Sequence, residues 1–255
     1  MIRWQSEAIW EAVAPLLAGF TVEVLPEIDS TNSELMRRAR AGRTEPVLLV
    51  AEQQTAGRGR MGRGWHSTAG ESLTFSLGLP LVPADWSGLS LAVGTSVADS
   101  LHPAVRLKWP NDLWLQDRKL GGILIETASQ GEGGSGARHA VIGIGINIMP
   151  RDGTGLATPP AALRELLPEV EAGDVLERLA LPLVRDVLEF ARTGFGPFRE
   201  RFHARDALRG RAVVLSDGTS GTAQGVDEAG ALLVHTAAGL QAVSSSEVSV
   251  RPSAS

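Results

Sequence analysis

The spacing of apolar residues predicts alternating helices and strands over most of the chain. Apolar residues recur at helical spacing in 6–18, 89–101, 174–191 and 197–207, and a further helix begins in STNSELMRRAR, 30–40. Apolar runs and alternations predict strands at 21–25, 47–54, 72–79, 105–108, 114–115, 120–126 and 139–147. The 72–79 strand places its leucines and phenylalanine on one face, so we expect it to be half-buried. Proline and glycine break residues 151–172, which predicts a surface segment with one short helix.

From Arg211 onward the pattern changes to short strands joined by tight Gly/Asp turns. The predicted strands are 211–216, 222–227, 230–236, 239–245 and 247–251. This pattern is typical of a small all-β barrel. We therefore predict an α+β protein with one domain at 1–208 and a second at 209–255, without internal repeats.

Composition narrows the classes of function. A hydrophobic content of 43% with 21% charged residues is ordinary for a globular protein. The net charge of −5 argues against nucleic acid as the main partner, because counterion release needs a basic face. Since no apolar run approaches the roughly 20 residues that span a bilayer, and the N-terminus lacks a signal-peptide core, we expect no membrane partner and a cytoplasmic location.

Two residue types are missing altogether. The absence of cysteine excludes disulfides, thiolate metal sites and cysteine nucleophiles. The absence of tyrosine leaves Asp, Glu, Lys and His for proton transfer. The five histidines are scattered without metal-ligand spacing, so no metal-binding residues are predicted, and only His66 is expected near a ligand.

The segment GRGRMGRGW, 57–65, concentrates glycine and arginine. Glycine lets the backbone adopt positive φ or approach a ligand closely, and arginine offers a fork of donors to carboxylate or phosphate. We expect neither helix nor strand here, but a mobile loop that an anionic ligand orders. A flexible basic turn and a segment that binds RNA loosely remain alternatives.

Two other segments also concentrate polar chemistry. The first is Ser30 to Asn32, where Thr31 and Glu34 fit a capping box at the start of a helix. Its hydroxyl, amide and backbone N–H groups suit a neutral polar ligand group such as a urea. In the second, a strand runs into the turn Pro110-Asn111-Asp112, and 116–118 form a hairpin tip. Lys119 follows at a strand start beside paired glycines, where a ligand could approach the backbone. Capping alone and ordinary surface charge are the respective alternatives.

Two glycine-rich segments carry less information. GIGIN, 143–147, lacks the third glycine of a dinucleotide fingerprint, and its glycines imply a ligand or neighbouring backbone packed against the strand. GEGGSG, 131–136, predicts a flexible hairpin loop without assignable chemistry.

Taken together, five motifs in the same order resemble those of biotin–protein ligases. They are STN (30–32), QQTAGRGRMGRGW (53–65), KWPNDLWLQDRKLGGIL (108–124), GIGIN (143–147) and GVDEAGALLV (225–234). The resemblance covers nearly the whole chain. It implies a mixed-sheet catalytic domain like that of class II synthetases, shared with lipoate ligases, and an SH3-like C-terminal barrel.

The resemblance also implies an activity and partners. Biotin and ATP would form biotinyl-5′-AMP with Mg²⁺, and biotin would pass to a lysine of a biotin carboxyl carrier protein. A homodimer is possible in this family. Too few residues precede Ser30 for the winged helix-turn-helix that makes some members repressors, so we expect a ligase without DNA binding. A lipoate ligase and a non-catalytic regulator that binds biotinyl-adenylate are the remaining alternatives; an octanoyltransferase would need a cysteine.

The resemblance implies roles for individual residues. The catalytic residues would be Lys119, Arg60 and Asp112. The biotin-binding residues would be Ser30, Thr31, Asn32, Gln54, Thr55, Gly57, Arg58, Gly59, Arg60, Met61, Lys119, Gly122, Gly143 and Gly145. The residues that bind ATP or the adenylate would be Arg58, Arg60, Arg63, Trp65, Lys108, Asn111, Asp112, Lys119 and Asn147.

Within this set Lys119, helped by Lys108 and the arginines, would offset the charge of two anions. Trp65 would stack on adenine, and Asn147 would contact the nucleotide. Asp112 would orient or deprotonate the acceptor lysine, or would simply hold Lys119 in place. Met61 stands where the family often has a basic residue, and we expect it to be tolerated.

Overall fold

The computed structural model describes residues 2–129, 137–156, 158–244 and 250–252, in which strands and helices alternate along the chain. In chain order the elements are α1 (Ser6–Val13), β1 (Thr21–Ile28), α2 (Thr31–Arg40), β2 (Val47–Gln54), β3 (Gly57–Arg58), β4 (Gly64–Trp65), β5 (Ser72–Leu81), α3 (Leu89–Leu101), β6 (Arg106–Lys108), β7 (Asp112–Leu115), β8 (Arg118–Ser129), β9 (Arg138–Asn147), α4 (Ala172–Thr193), α5 (Arg199–Arg205), β10 (Ala212–Leu215), β11 (Ser220–Val226), β12 (Leu232–Thr236), β13 (Gly239–Val243) and β14 (Val250–Pro252). The predicted loop 131–136 lies outside the described residues.

A mixed sheet forms the centre of the molecule, with the described strands in the order β1-β2-β5-β9-β8-β7-β6. β1 and β2 pair in parallel, and every other neighbouring pair is antiparallel. Helix α2 packs on one face, and α3 and α4 contact strands of the same sheet around a second, larger core. The expectation that 72–79 is half-buried was wrong, because β5 lies inside this sheet and all its residues except Pro80 are buried.

The start of α2 differs from the prediction by one residue. Ser30 is the N-cap, and its Oγ accepts a hydrogen bond from the Ser33 N–H at 3.4 Å. The carboxylate of Glu34 pairs with Arg37 and Arg38 instead of closing a capping box. The hydroxyl of Thr31 is therefore not used as a cap, and it becomes available to the site described below.

Several predicted helices have different ends in the structure. The helix predicted at 6–18 ends at Val13, and the helix predicted at 174–191 extends over Ala172–Thr193. The helix predicted at 197–207 is a 3₁₀ turn, Gly196–Phe198, followed by α5. The short helix in 151–172 is a 3₁₀ turn at Leu163–Glu165. Among the described residues no helix is both long and apolar enough to cross a membrane.

The C-terminal strands form a second antiparallel sheet in the order β13-β12-β11-β10-β14. No hydrogen-bonded pairing joins β13 to β14 within the described residues, so those strands form an open sheet there. Apolar residues of this sheet, including Val213, Ala223 and Val234, belong to the same hydrophobic cluster as the main core. The second sheet is therefore packed against the rest of the chain through a continuous core, while the division at 208 stays a prediction.

Candidate active site

A cleft of about 890 Å³, including its open mouth, lies where the three polar motifs of the sequence meet. The N-terminus of α2, the 57–65 segment, the β6–β7 turn and strands β8 and β9 surround it. A concave space lined by both apolar and convergent polar groups is typical of a small-molecule site. The predicted residues that line it are Ser30, Thr31, Asn32, Gln54, Arg58, Gly59, Arg60, Met61, Arg63, Trp65, Lys108, Asn111, Asp112, Lys119, Gly122, Gly143 and Gly145.

One end of the cleft is built from neutral polar groups at the start of α2. The Thr31 N–H and hydroxyl donate to Oε1 of Gln54 at 2.7 and 3.1 Å. The buried hydroxyl of Ser76 lies 2.7 Å from both Thr31 Oγ1 and Asn32 Oδ1. Because these groups carry no net charge and already hold one another in place, they suit a neutral ligand group with donors and acceptors.

Glu126 is a charged residue of this site that the sequence patterns did not reveal. Its carboxylate accepts a hydrogen bond from Asn32 Nδ2 at 3.0 Å and pairs with Arg58 at 3.1 Å. The ion pair joins the glycine-rich segment to β8 across the cleft. A glutamate near the end of an otherwise apolar strand is the signal that could have identified it.

The glycine-rich segment has more regular structure than predicted. β3 and β4 pair as a short antiparallel hairpin, with Gly57 opposite Trp65. A 3₁₀ turn, Arg60–Gly62, closes the hairpin, and the Gly59 N–H donates to the Arg63 carbonyl at 2.7 Å. The expectation of no strand here was wrong, because glycine at position 57 allows the carbonyl of Trp65 to approach the opposite backbone.

The two glycines of β9 make room for side chains of this protein. A methyl group on Gly143 would overlap Asn32 Oδ1, and one on Gly145 would overlap the indole of Trp65. Gly121 serves the sheet, since a methyl there would lie 2.5 Å from the Gly145 carbonyl oxygen. The strand glycines therefore position Asn32 and Trp65 at the wall of the cleft.

At the other end of the cleft lies a cluster of two cations and one carboxylate. Lys119 Nζ lies 2.7 Å from Asp112 Oδ1, and Lys108 Nζ lies 3.8 Å from Asp112 Oδ2. The register of β7 and β8 places Asp112 opposite Gly122, and a methyl on Gly122 would lie 3.4 Å from Lys119 Nζ. Lys108 and Lys119 are the only lysines in the sequence. The cluster carries a net positive charge in a partly buried setting, where it attracts anions.

Arg60 adds a third cation from the hairpin. Its Nη1 lies 3.5 Å from the side-chain oxygen of Asn111, whose amide in turn donates to the Ile123 carbonyl at 2.8 Å. Burial lowers the pKa of the Arg60 guanidinium, and the nearby Asp112 carboxylate acts against that shift. Because arginine stays charged in proteins, the cost of burying it favours an anionic partner in the cleft.

Three predicted site residues do not line this cleft: Thr55, Gly57 and Asn147. Asn147 is buried, and its Nδ2 donates to the carbonyls of Lys119 and Ala161 at 3.2 and 2.9 Å. It lines a second pocket of about 690 Å³, including its open mouth, together with His66, Ser72 and Arg151. The guanidinium carbon of Arg151 lies 5.5 Å from the centroid of the Trp65 ring. Trp65 Nε1 and Asn147 Oδ1 are buried without a hydrogen-bond partner among the described residues.

Sequence reasoning missed the apolar part of the cleft. Its wall and floor include Thr74, Phe75, Pro110, Ile123, Leu124 and Ile144, together with Gly64 and Val250. The strand residues look like ordinary core in the sequence, because their place beside a cleft depends on the pairing of β5, β9 and β8. Val250 belongs to the second sheet, whose packing against the cleft no local pattern shows. No group of three or more His, Asp or Glu side chains suited to a metal ion occurs in the described residues.

Two family models match this chain. The model of the biotin/lipoate A/B protein ligase family matches residues 24–147, and that of the biotin protein ligase C terminal domain matches residues 210–251. The cleft lies largely within the first match, and the second sheet lies within the second match except for Pro252. Fold and site thus define a ligase of the biotin and lipoate class.

Individual relatives narrow the class. The bifunctional ligase/repressor BirA of Escherichia coli (strain K12) is 38% identical over 251 residues, which are 92% of this chain and 75% of that protein. The biotin–acetyl-CoA-carboxylase ligase of Paracoccus denitrificans is 33% identical over 243 residues, 88% of this chain and 98% of that protein. A solved biotin protein ligase from Aquifex aeolicus in complex with biotin and ATP superimposes with a TM-score of 0.78 at 29% identity, covering 91% of this chain and 99% of that one. The chain belongs to the biotin protein ligase family.

Proposed function

We propose that this protein joins biotin to ATP as biotinyl-5′-AMP and then transfers biotin to a lysine of a biotin carboxyl carrier protein. The observation that carries the proposal is the polarity of the cleft. Neutral donors and acceptors at Thr31 and Gln54 form one end, and the cations of Lys119, Lys108 and Arg60 form the other. Biotin has this polarity, with a neutral ureido group at one end and a carboxylate at the other.

The cationic end of the cleft lowers the repulsion between the biotin carboxylate and the ATP phosphates in the first step. A carboxylate oxygen of biotin attacks the α-phosphorus of ATP, the bond to pyrophosphate breaks, and a mixed anhydride forms. Two anions about 4 Å apart repel by only about 1 kcal/mol in water, but by several times that in a drier site. We assign Lys119 and Arg60 to offset this charge as it develops, with Lys108, Arg58 and Arg63 contributing to phosphate binding.

Asp112 has a position that suits two tasks. In the structure its carboxylate pairs with Lys119 and lies 3.8 Å from Lys108. It thereby fixes Lys119 beside the anion site, and its carboxylate can orient the incoming acceptor lysine and accept its proton. In the second step that amine attacks the carbonyl carbon of the anhydride, an amide bond forms and AMP departs.

We place the adenine beside Trp65, at the border of the two cavities. Trp65 lines the main cleft, and Arg151 of the second pocket lies 5.5 Å from the centroid of its ring, so the indole borders both spaces. The buried Oδ1 of Asn147, which lacks a partner among the described residues, can accept a hydrogen bond from the adenine amino group. This arrangement keeps Asn147 in the nucleotide site although it lies outside the main cleft.

The proposal includes several further points. Mg²⁺ would arrive bound to the ATP phosphates. Since proteins bind such an ion through one or two carboxylates, Asp112, which lines this end of the cleft, would be its ligand from the protein. The hairpin 57–65 would act as a lid that keeps water from the anhydride. The SH3-like closure of the second sheet, a possible homodimer, a cytoplasmic location, and an absence of nucleic-acid and membrane partners remain predictions from the sequence.

Substrate choice is the direct test of this function. The protein is incubated with ATP, Mg²⁺ and a carboxyl carrier domain, with either biotin or lipoate, and the carrier is weighed by mass spectrometry. We expect the mass of one biotinyl group to be added with biotin and no mass to be added with lipoate, because the polar end matches a ureido group. A mass increase with lipoate alone would replace the proposal by a lipoate ligase.

Replacing Trp65 by alanine is expected to weaken ATP binding roughly ten- to a hundredfold, since a base–aromatic stack contributes about 1–3 kcal/mol. Biotin binding should change less, because the ureido end of the cleft stays intact. Calorimetry with each ligand measures both constants. Trp10→Ala, at an indole that is 49% exposed, provides the control. A larger loss for biotin than for ATP would reject the stacking role.

A further inference from the structure

Trp109, the second residue of the KWPND motif, is hydrogen-bonded to a turn of the C-terminal sheet. Its side chain is completely buried, and its indole N–H donates to the Gly230 carbonyl at 3.0 Å. The two residues are far apart in sequence, and each lies in a turn that joins two strands, Trp109 between β6 and β7 and Gly230 between β11 and β12. The contact therefore connects the turn that carries Asp112 to a turn of the second sheet.

The turn that offers this carbonyl is held by hydrogen bonds within it and by close packing. Asp227 Oδ1 accepts hydrogen bonds from the N–H groups of Ala229 and Ala231 at 2.9 and 2.8 Å. Gly230 has a φ of +83°, and a methyl there would lie 2.9 Å from the Cα of Gly88 at the start of α3. A turn fixed from within and packed this closely presents its carbonyl at a defined place.

The turn on the catalytic side leads directly from Trp109 to Asp112, and backbone and side-chain hydrogen bonds hold it. The Ser90 hydroxyl donates to the Pro110 carbonyl at 3.2 Å, and the Asn111 backbone carbonyl accepts from the Ile123 N–H at 3.0 Å. The next residue, Asp112, forms the ion pair with Lys119. A shift of Trp109 would thus move the carboxylate that fixes the catalytic lysine.

We propose that Trp109 is a positioning residue, through which the 227–231 turn of the C-terminal sheet sets the Asp112–Lys119 pair. The proposal rests on the proposed function for its catalytic consequence, but the geometry it describes can be tested separately. The C-terminal sheet then has a defined task in the first half-reaction, beyond adding Val250 to the cleft wall.

Two variants interrupt the connection from its two ends. Trp109→Phe removes the indole N–H, and Asp227→Ala removes the side chain that shapes the turn. Trp10→Phe is the matched control, because the Trp10 indole also donates to a backbone carbonyl at 3.0 Å, that of Phe20, away from the cleft. Asp227→Ala also serves if Trp109→Phe fails to fold.

The first measurement is independent of activity. Since Lys108 and Lys119 are the only lysines, protein labelled with ¹³C-lysine gives two ε-CH₂ signals in the NMR spectrum. We expect both Trp109→Phe and Asp227→Ala to move the Lys119 signal, and Trp10→Phe to leave it in place. Asp227→Ala is the stricter case, because it changes no aromatic ring. An unmoved Lys119 signal in a folded Asp227→Ala variant would overturn the proposal.

The second measurement is biotin-dependent ATP–pyrophosphate exchange. Because small misplacements of catalytic groups cost up to about a hundredfold in rate, we expect kcat to fall roughly tenfold in both variants with little change in the KM for biotin. A lower melting temperature with unchanged kcat would indicate a merely structural contact and would contradict the proposal. If the wild-type protein shows no exchange, the proposed function fails, and the NMR result alone decides the role of Trp109.

Discussion

Replacing Lys119 by alanine is expected to slow biotinyl-adenylate formation by roughly a hundred- to a thousandfold, the usual cost of removing one group that stabilises developing charge. The ammonium group lies 2.7 Å from Asp112 and lines the cleft, so its loss leaves the carboxylate with Lys108 at 3.8 Å as its neighbouring lysine. Of the three cations that face one carboxylate at this end of the cleft, only Lys108 and Arg60 then remain to offset the charge of biotin and ATP. Biotin-dependent ATP–pyrophosphate exchange measures the effect.

The neighbouring residue provides a matched control. Arg118 also carries one positive charge, but it pairs with Glu165 and does not line the cleft. Arg118→Ala therefore removes the same net charge without touching the site, and we expect exchange to continue at a rate close to that of wild type. Equal losses in both variants would indicate an effect of overall charge. Wild-type exchange by Lys119→Ala would remove this lysine from the catalytic step.

Local chemistry made much of the site predictable. Residue type and local spacing identify the turn at 110–112, the lysine after the hairpin tip and the hydroxyls at the start of α2. Each of these groups acts within a few positions of the residues that predict it. The one-residue error at Thr31 has the same origin. Ser30 and Thr31 both cap helices well, and only the path of the backbone decides that Ser30 does so.

The remaining parts of the site depend on contacts between distant segments. Glu126 enters because β8 lies beside β9 and opposite the hairpin, so that it meets Arg58 and Asn32. Phe75 reads as core in the sequence and is core, yet it also lines the cleft. The burial of β5 on both faces follows from its place inside the sheet, which alternation within one segment cannot show.

The glycines of β9 predict close packing at this strand but do not identify the groups that pack there. GIGIN predicts a ligand or a neighbouring backbone packed against the strand, and the structure instead shows side chains packed closely there. The groups that do so are the side chains of Asn32 and Trp65, so the strand acts on a ligand through them. A substitution at Gly143 should therefore affect the ligand group that Asn32 and Ser76 face.

Replacing Gly143 by alanine is expected to weaken biotin binding roughly ten- to a hundredfold while ATP binding stays close to that of wild type. The new methyl group would overlap Asn32 Oδ1, and the displaced amide would lose its bonds to Ser76 and Glu126, both now 3.0 Å or less. Leaving buried polar groups unpaired costs about 1–3 kcal/mol, which corresponds to this range in affinity. Calorimetry with biotin and ATP separately distinguishes the two ends of the cleft.

The control for this change is a glycine that has room for a methyl group. A methyl on Gly196 would meet no neighbouring atom within 4 Å, and the φ of Gly196 is not positive, so Gly196→Ala adds the same atoms without displacing a neighbour. We expect it to bind biotin as the wild-type protein does. If Gly143→Ala is as stable as Gly196→Ala and still binds biotin normally, Asn32 does not shape the biotin site. If Gly143→Ala instead weakens ATP binding and leaves biotin binding unchanged, the neutral end of the cleft binds the nucleotide. The displaced Asn32 amide would then be a contact of ATP and not of biotin.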